Sequence, residues 1–306
     1  MKVWYDKEDI DYSKFISEQF LLLPRFGKDI INQNKDFVDS ETWQKHISEY
    51  VKCVDTVEDC DVIVYPRKLD TGIQKYINIS RLSSKKLLCF YNDDRESPTC
   101  LPELVDVYRT SLTSFKRKQN EYGLPAWSCD FTSLTDINYR KKCERPVVGF
   151  CGALTDISRY HAIETLKKNN SITLDIKLRD SFWGGNIHNR VLREEYVQHM
   201  LRSDFILCCR GAGNFSYRLY ECLSLGKIPI IINTDIVLPC NDVIDWKNLG
   251  VWVNNIEDIN DLINNFWSSL TPIEYIEKQK NSRCAYDEYI SPTGFTKYLN
   301  NKYTIL

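Results

Sequence analysis

Arg210, Arg218 and Glu221 are the residues best placed to do chemistry. They fall in one stretch, Asp204–Asp235, which reads DFILCCRGAGNFSYRLYECLSLGKIPIIINTD. It parses as a buried strand, a glycine loop (Arg210, Gly211, Ala212, Gly213), a helix entered through Ser216, Tyr217 and Arg218, and a second buried strand. A helix N-terminus presents unpaired N–H groups and the positive end of the dipole, so it favours a phosphate. Glycines let the backbone turn and approach a ligand closely. A guanidinium pairs a diphosphate bidentately, and a carboxylate accepts hydrogen bonds from a ribose diol. Arg218 and Glu221, three apart on one helix face, therefore suggest a nucleotide-sugar site. Two other readings fit the same residues. One is an exposed i,i+3 ion pair worth about 0.2–0.5 kcal/mol. The other is a dinucleotide loop from Gly211-Ala212-Gly213, as in an NAD-dependent oxidoreductase, although Ser216 stands where G-x-G-x-x-G needs its third glycine.

The flanking elements must hold that loop. Asp204–Cys209 is apolar enough for a central strand, and Asn214 or Ser216 suits the helix cap. Leu219, Cys222 and Leu223 make the buried stripe. Gly226 occupies a C′ position, with Pro229 shortly after. Further strand candidates are Lys2–Tyr5, Asp61–Tyr65, Lys86–Tyr91, Val147–Cys151, Leu174–Leu178, Phe205–Cys209, Ile228–Ile232 and Val251–Asn254. Helical patterns such as Ile157–Lys168, Val191–Leu201 and Tyr217–Leu225 lie between them. Such alternation predicts an α/β protein with parallel sheets. The polar stretch Thr132–Pro146 marks a boundary, giving domains 1–142 and 143–306. Ligands of open α/β sheets bind beyond the carboxyl ends of strands, so two such domains are expected to face each other across a cleft.

Transfer from a nucleotide sugar to a hydroxyl would also need a carboxylate to take the acceptor's proton. Just past a strand, LLCFYNDDR supplies Asp94 and Asp93, and VIVYPRKLD supplies Asp70. The order of preference is Asp94, Asp93, Asp70, with Glu121 and Asp130 behind them. A polar turn is the plain alternative for Asn92-Asp93-Asp94. Asp93-Asp94 is no D-x-D motif, and His46, His161, His188 and His199 make no ligand pattern, so no metal is expected. The loop Ser181–Arg190, SFWGGNIHNR, reads either as a functional loop near the ligands or as an ordinary exposed one.

Composition narrows the classes. The 306 residues carry a formal net charge of −2, with 43% hydrophobic and 27% charged residues. Nothing in that balance points to nucleic acid or an anionic membrane. No apolar run approaches the roughly 20 residues of a membrane span, and the charged start has no signal-peptide core. The 12 cysteines are scattered and are expected to be reduced. On that reading the sequons at Asn78 and Asn214 stay unused in a cytoplasmic chain.

Ser203–Val253 resembles the C-terminal, donor-binding half of exostosin-like glycosyltransferases. The resemblance is carried by S-D-F-I-L, R-G-A-G-N-F-S-Y-R-L-Y-E, G-K-I-P-I-I-I, L-P and I-D-W-K-N-L-G-V-W-V, with VVGFCGALTDISRYHAI upstream. It covers the C-terminal half clearly and the N-terminal half loosely. It implies a GT-B fold of two Rossmann-like domains, with the last helix crossing back to the first, and inverting transfer from a UDP-sugar to a glycan. By position, Arg218 would hold the diphosphate and Glu221 the ribose. Arg210, Gly211, Gly213, Asn214, Ser216 and Tyr217 would line the phosphates or the sugar. The compact length resembles microbial and large-virus members that glycosylate a capsid glycan, which would place the chain in a host cytoplasm. Xylose is the first donor the resemblance suggests, with glucuronic acid, galactose and arabinose behind it. A glycan-binding protein of the same fold without catalysis is the remaining alternative.

Overall fold

The computed structural model describes residues 1–26, 40–128, 130–185 and 189–304, and strands alternate with helices throughout them. The first sheet contains β1 (Lys2–Trp4), β2 (Lys52–Cys53), β3 (Val62–Val64), β4 (Lys86–Tyr91), β5 (Val105–Arg109) and β6 (Glu121–Gly123). Its order is β2-β1-β3-β4-β5-β6. The second contains β7 (Val147–Gly152), β8 (Thr173–Leu178), β9 (Phe205–Cys208), β10 (Ile228–Ile232) and β11 (Val251–Val253), in the order β11-β10-β9-β7-β8. Every pairing within the two sheets is parallel. Parallel neighbours need crossover connections, and helices such as Ile157–Leu166, Arg190–Arg202 and Tyr217–Ser224 provide them. Strands covered on both faces read as continuous apolar runs, as in β9 and β10, which are buried throughout. The expected pair of Rossmann-like parallel sheets is present, which is the composition of a GT-B chain.

Strands β2, β5 and β6 are absent from the candidates read in the sequence. β5, VDVYR, is buried at every position although it carries Asp106 and Arg109. Both charges are answered inside the fold. Asp106 accepts from Lys86 Nζ at 2.8 Å and from Tyr303 Oη at 2.6 Å. Arg109 pairs with Glu121 at 2.9 Å, both fully buried.

The chain divides into two units, and the division is not a single cut at 142/143. The first unit comprises Met1–Cys129, Ile236–Asn241 and Asp287–Leu306; the second comprises Asp130–Asp235 and Asp242–Tyr286. Hydrogen bonds explain why residues 130–142 belong to the second. Arg283 clamps both oxygens of Asp130 at 2.9 and 3.0 Å, and Arg140 Nε donates to Asp204 at 2.6 Å. In the first unit, Ile236 bridges Thr113, and a Cβ on Gly123 would lie 2.6 Å from the Leu238–Pro239 backbone. The helix Pro292–Thr304 packs there through Phe295, Leu299 and Tyr303, all buried. Among the described residues no helix is long and apolar enough to cross a membrane.

Candidate functional site

The second unit builds its site where β9 gives way to the helix Tyr217–Ser224. Ser216 is the N-cap, but its hydroxyl makes no capping bond. Asn214 is held instead by Thr234, donating to its carbonyl at 3.1 Å and accepting from its hydroxyl. The loop closes through Gly211 N–H to the Phe215 carbonyl at 3.0 Å. At the other end, Gly226 (φ +61°) donates to Leu223 and Lys227 to Cys222, both at 2.9 Å. That pair of bonds is a Schellman termination, which only a residue tolerant of positive φ completes without strain.

Arg218 and Glu221 are not an exposed ion pair. They retain 8% and 2% of their accessibility, and no direct salt bridge joins them. Arg218 lies over the Phe150 ring, 4.2 Å from its centroid, and donates from Nη2 to the Cys151 carbonyl at 2.7 Å. Gly152, which ends β7, makes this possible, because a Cβ there would sit 2.3 Å from Arg218 Nη2. Glu221 Oε2 accepts from Tyr196 Oη at 2.6 Å. Arg218 Nε and Glu221 Oε1 are buried with no hydrogen-bond partner among the described residues.

Arg159 is a neighbour that sequence reasoning missed. Its Nε donates to the Arg210 carbonyl at 2.8 Å and its Nη1 to the Ala153 carbonyl at 2.7 Å. Burial, and then the proximity of Arg218, push its guanidinium down to about 10. Among the described residues, neither Arg159 nor Arg218 forms an ion pair with a carboxylate. Two buried cations side by side favour a polyanion. A signal was present, since Arg159 stands in the first turn of the Ile157–Leu166 helix, where the dipole disfavours a cation. Arg210 lies 3.5 Å from Asp156, whose carboxylate caps that helix by accepting from Ser158 N–H at 2.9 Å. Phe182 lies tilted against Tyr217, centroids 6.3 Å apart, which brings the start of the Ser181–Arg190 loop to the helix start. Residues 186–188 of that loop, His188 included, lie outside the described residues.

The acids of the first unit differ in how fully they are engaged. Asp70 accepts from Tyr65 Oη, from Arg67 at 2.6 Å and from Gly72 N–H at 2.8 Å. The Tyr65 hydroxyl foremost holds its carboxyl below the ordinary value, against the effect of burial. Asp93 is also held low: burial opposes this, but the Arg95 N–H at 2.8 Å and its guanidinium prevail. Asp94 is exposed, and its carboxylate has no partner among the described residues. Glu121 is satisfied by Arg109, Thr99 and Lys118, so it is part of the framework. Asp130 does the same for Arg283 and caps Thr132. The described residues contain no cluster of three His, Cys, Asp or Glu side chains able to hold a metal.

Two parallel α/β units, one of which gathers Arg159, Arg210 and Arg218 around the loop at the carboxyl end of its sheet, define a doubly wound α/β architecture of the GT-B class. The chain belongs to the exostosin GT47 domain family, whose model matches residues 107–266, more than half of its length. It is 38% identical over 85 residues to a probable beta-1,4-xylosyltransferase of Arabidopsis thaliana, a match covering 28% of this chain and 20% of that protein. It is 47% identical over 64 residues to a probable glucuronosyltransferase of Oryza sativa subsp. japonica, covering 21% of this chain and 14% of the relative. The chain thus spans a fifth or less of these curated relatives. Among solved structures it is similar to Anabaena HepE in complex with UDP-glucose, at 11% identity and a TM-score of 0.40, over 100% of this chain and 99% of that one.

Proposed function

We propose that the protein is an inverting glycosyltransferase that moves a sugar, xylose first, from a UDP-sugar to a hydroxyl of a glycan. Membership of the exostosin family and the xylosyl and glucuronosyl transfer named for its relatives support this reading. The observation that carries it is the pair of buried side chains on one helix, Arg218 and Glu221, each with an unpartnered polar atom. Arg218, aided by Arg210 and Arg159, holds the diphosphate, and the Gly211–Gly213 backbone, Asn214, Ser216 and Tyr217 surround it. Glu221 takes the ribose hydroxyls.

The chemistry is a single displacement. The acceptor oxygen attacks the anomeric carbon as Asp94 removes its proton, and the bond from that carbon to the diphosphate oxygen breaks. Asp94 is preferred to Asp93 and Asp70 because a general base needs an uncommitted lone pair. The arginines stabilise the departing UDP without a required metal.

Melting temperature and calorimetric binding with UDP, a panel of UDP-sugars and NAD, each in EDTA and in manganese, test the reading. A ligand that binds only the folded state raises the melting temperature. Stabilisation by UDP that persists in EDTA is expected, and the best UDP-sugar identifies the donor. A response to NAD alone overturns the proposal in favour of an oxidoreductase. Sugar binding without turnover leaves a glycan-binding protein.

A further inference from the structure

Glu221 is a buried carboxylate with one oxygen engaged and the other unpartnered. Oε2 accepts from the Tyr196 hydroxyl at 2.6 Å, while Oε1 has no partner among the described residues. Among the described residues no cation pairs directly with it, since Arg218 turns to the Cys151 carbonyl and the Phe150 face. A carboxylate so placed is free to change rotamer unless something fixes it. Tyr196 is the group that does so. It comes from a different element, the helix Arg190–Arg202, and its ring meets Phe131 edge-on at 5.9 Å. A phenol anchored on both sides holds one carboxylate oxygen and leaves the other as a fixed acceptor.

We propose that Tyr196 is a positioning residue that fixes Glu221 as an acceptor for a vicinal diol, and so sets the preference of the site for ribonucleoside over dideoxyribonucleoside diphosphates. The inference rests on the donor-site reading of Glu221 given above and adds to it the element that confers sugar discrimination. Burial pushes the Tyr196 phenol far above its ordinary value, so it remains a donor across the working pH range. A Glu221 held in one rotamer meets the diol without reorganising, and its unpartnered oxygen rejects a ligand that lacks hydroxyls.

The test is calorimetric titration of the full chain and of Tyr196→Phe with UDP, 2′,3′-dideoxy-UDP and inorganic pyrophosphate, with Glu221→Gln as reference. The wild type is expected to prefer UDP over dideoxy-UDP by tenfold or more, the size of a hydrogen bond to a charged group. Tyr196→Phe keeps the ring and removes only the hydroxyl. It should weaken UDP about tenfold and shrink the UDP to dideoxy-UDP ratio toward that of Glu221→Gln, while pyrophosphate binding stays unchanged. Equal losses for UDP, dideoxy-UDP and pyrophosphate would show that Tyr196 only supports the local fold, and an unchanged ratio would do the same; either overturns the proposal. A wild type that binds pyrophosphate and UDP without discriminating dideoxy-UDP removes Glu221 from the ribose, and the proposal falls with it. A wild type that binds no UDP removes the donor-site reading itself.

Discussion

Among the described residues, Arg218 forms its one side-chain hydrogen bond with a backbone carbonyl and leaves Nε buried without a partner. An unpaired buried donor costs about 1–3 kcal/mol, which a ligand acceptor offsets. Arg218→Ala should weaken UDP binding by roughly 1.5–3 kcal/mol, the range of a charge-assisted bond, read by calorimetry. Unchanged affinity would take Arg218 out of the donor site. Asp94→Asn should leave UDP affinity intact and lower turnover by about 10²–10⁴. If turnover survives, Asp93 and Asp70 are the next variants to assay. At this scale the residue types and their order were legible in the sequence, but their surroundings were not. Arg218 looked exposed because a helical wheel shows only the stripe of Leu219, Cys222 and Leu223. Its burial comes from β7 and from Tyr196, distant in sequence. Arg159 was missed for the same reason.

The strands of the second sheet follow their apolar runs closely: Ile228–Ile232 is both the expected and the observed β10, and β9 ends one residue earlier than expected. Strand β5 escaped notice because its charges are neutralised by partners on three other segments. Two elements carry tests. Gly152→Ala would drive a methyl group into Arg218 Nη2 and dislodge it from Cys151 and Phe150. We expect a loss of UDP affinity comparable to that of Arg218→Ala, with the melting temperature also lowered. A variant that binds UDP normally would show that the glycine is dispensable. At the start of β10, Lys227 is 1% exposed and donates to the Leu201 carbonyl at 2.8 Å. Burial, and then Arg140, push it down to about 8 from 10.5. Between those two values the unfolded chain holds a proton that the native one lacks, so this group makes stability rise with pH; below about 8 its full penalty applies. Lys227→Met removes the titration. Its stability relative to the wild type should therefore fall as pH rises from 8 to 10.5, by on the order of 1.4 kcal/mol per unit crossed. Parallel denaturation curves across that range would contradict the assignment.

The whole molecule is two units through which the chain passes more than once. The boundary was hard to read because Thr132–Pro146 looks like a linker in composition, yet Arg140 and Asp130 anchor it to the second unit. The helix Pro292–Thr304 inserts Phe295, Leu299 and Tyr303 into the first unit, and Tyr303 supplies a hydroxyl to the buried Asp106. Removing residues 287–306 should cost the first unit several kcal/mol, a large part of the 5–15 kcal/mol that holds an ordinary domain together. Pulse proteolysis should then cut within 1–128 while the second sheet stays protected. Equal protection of both units would refute that dependence.

The same threading orders events on the ribosome. The first unit holds Met1–Cys129, made before the second unit, yet it lacks its closing helix until residues 287–306 emerge. The second unit has all its segments some twenty residues sooner, since they end at Tyr286. The half that is synthesised first is thus the half that matures last. During translation its exposed β5 and β6, with Asp106 still without Tyr303, form the surface a chaperone has to shield.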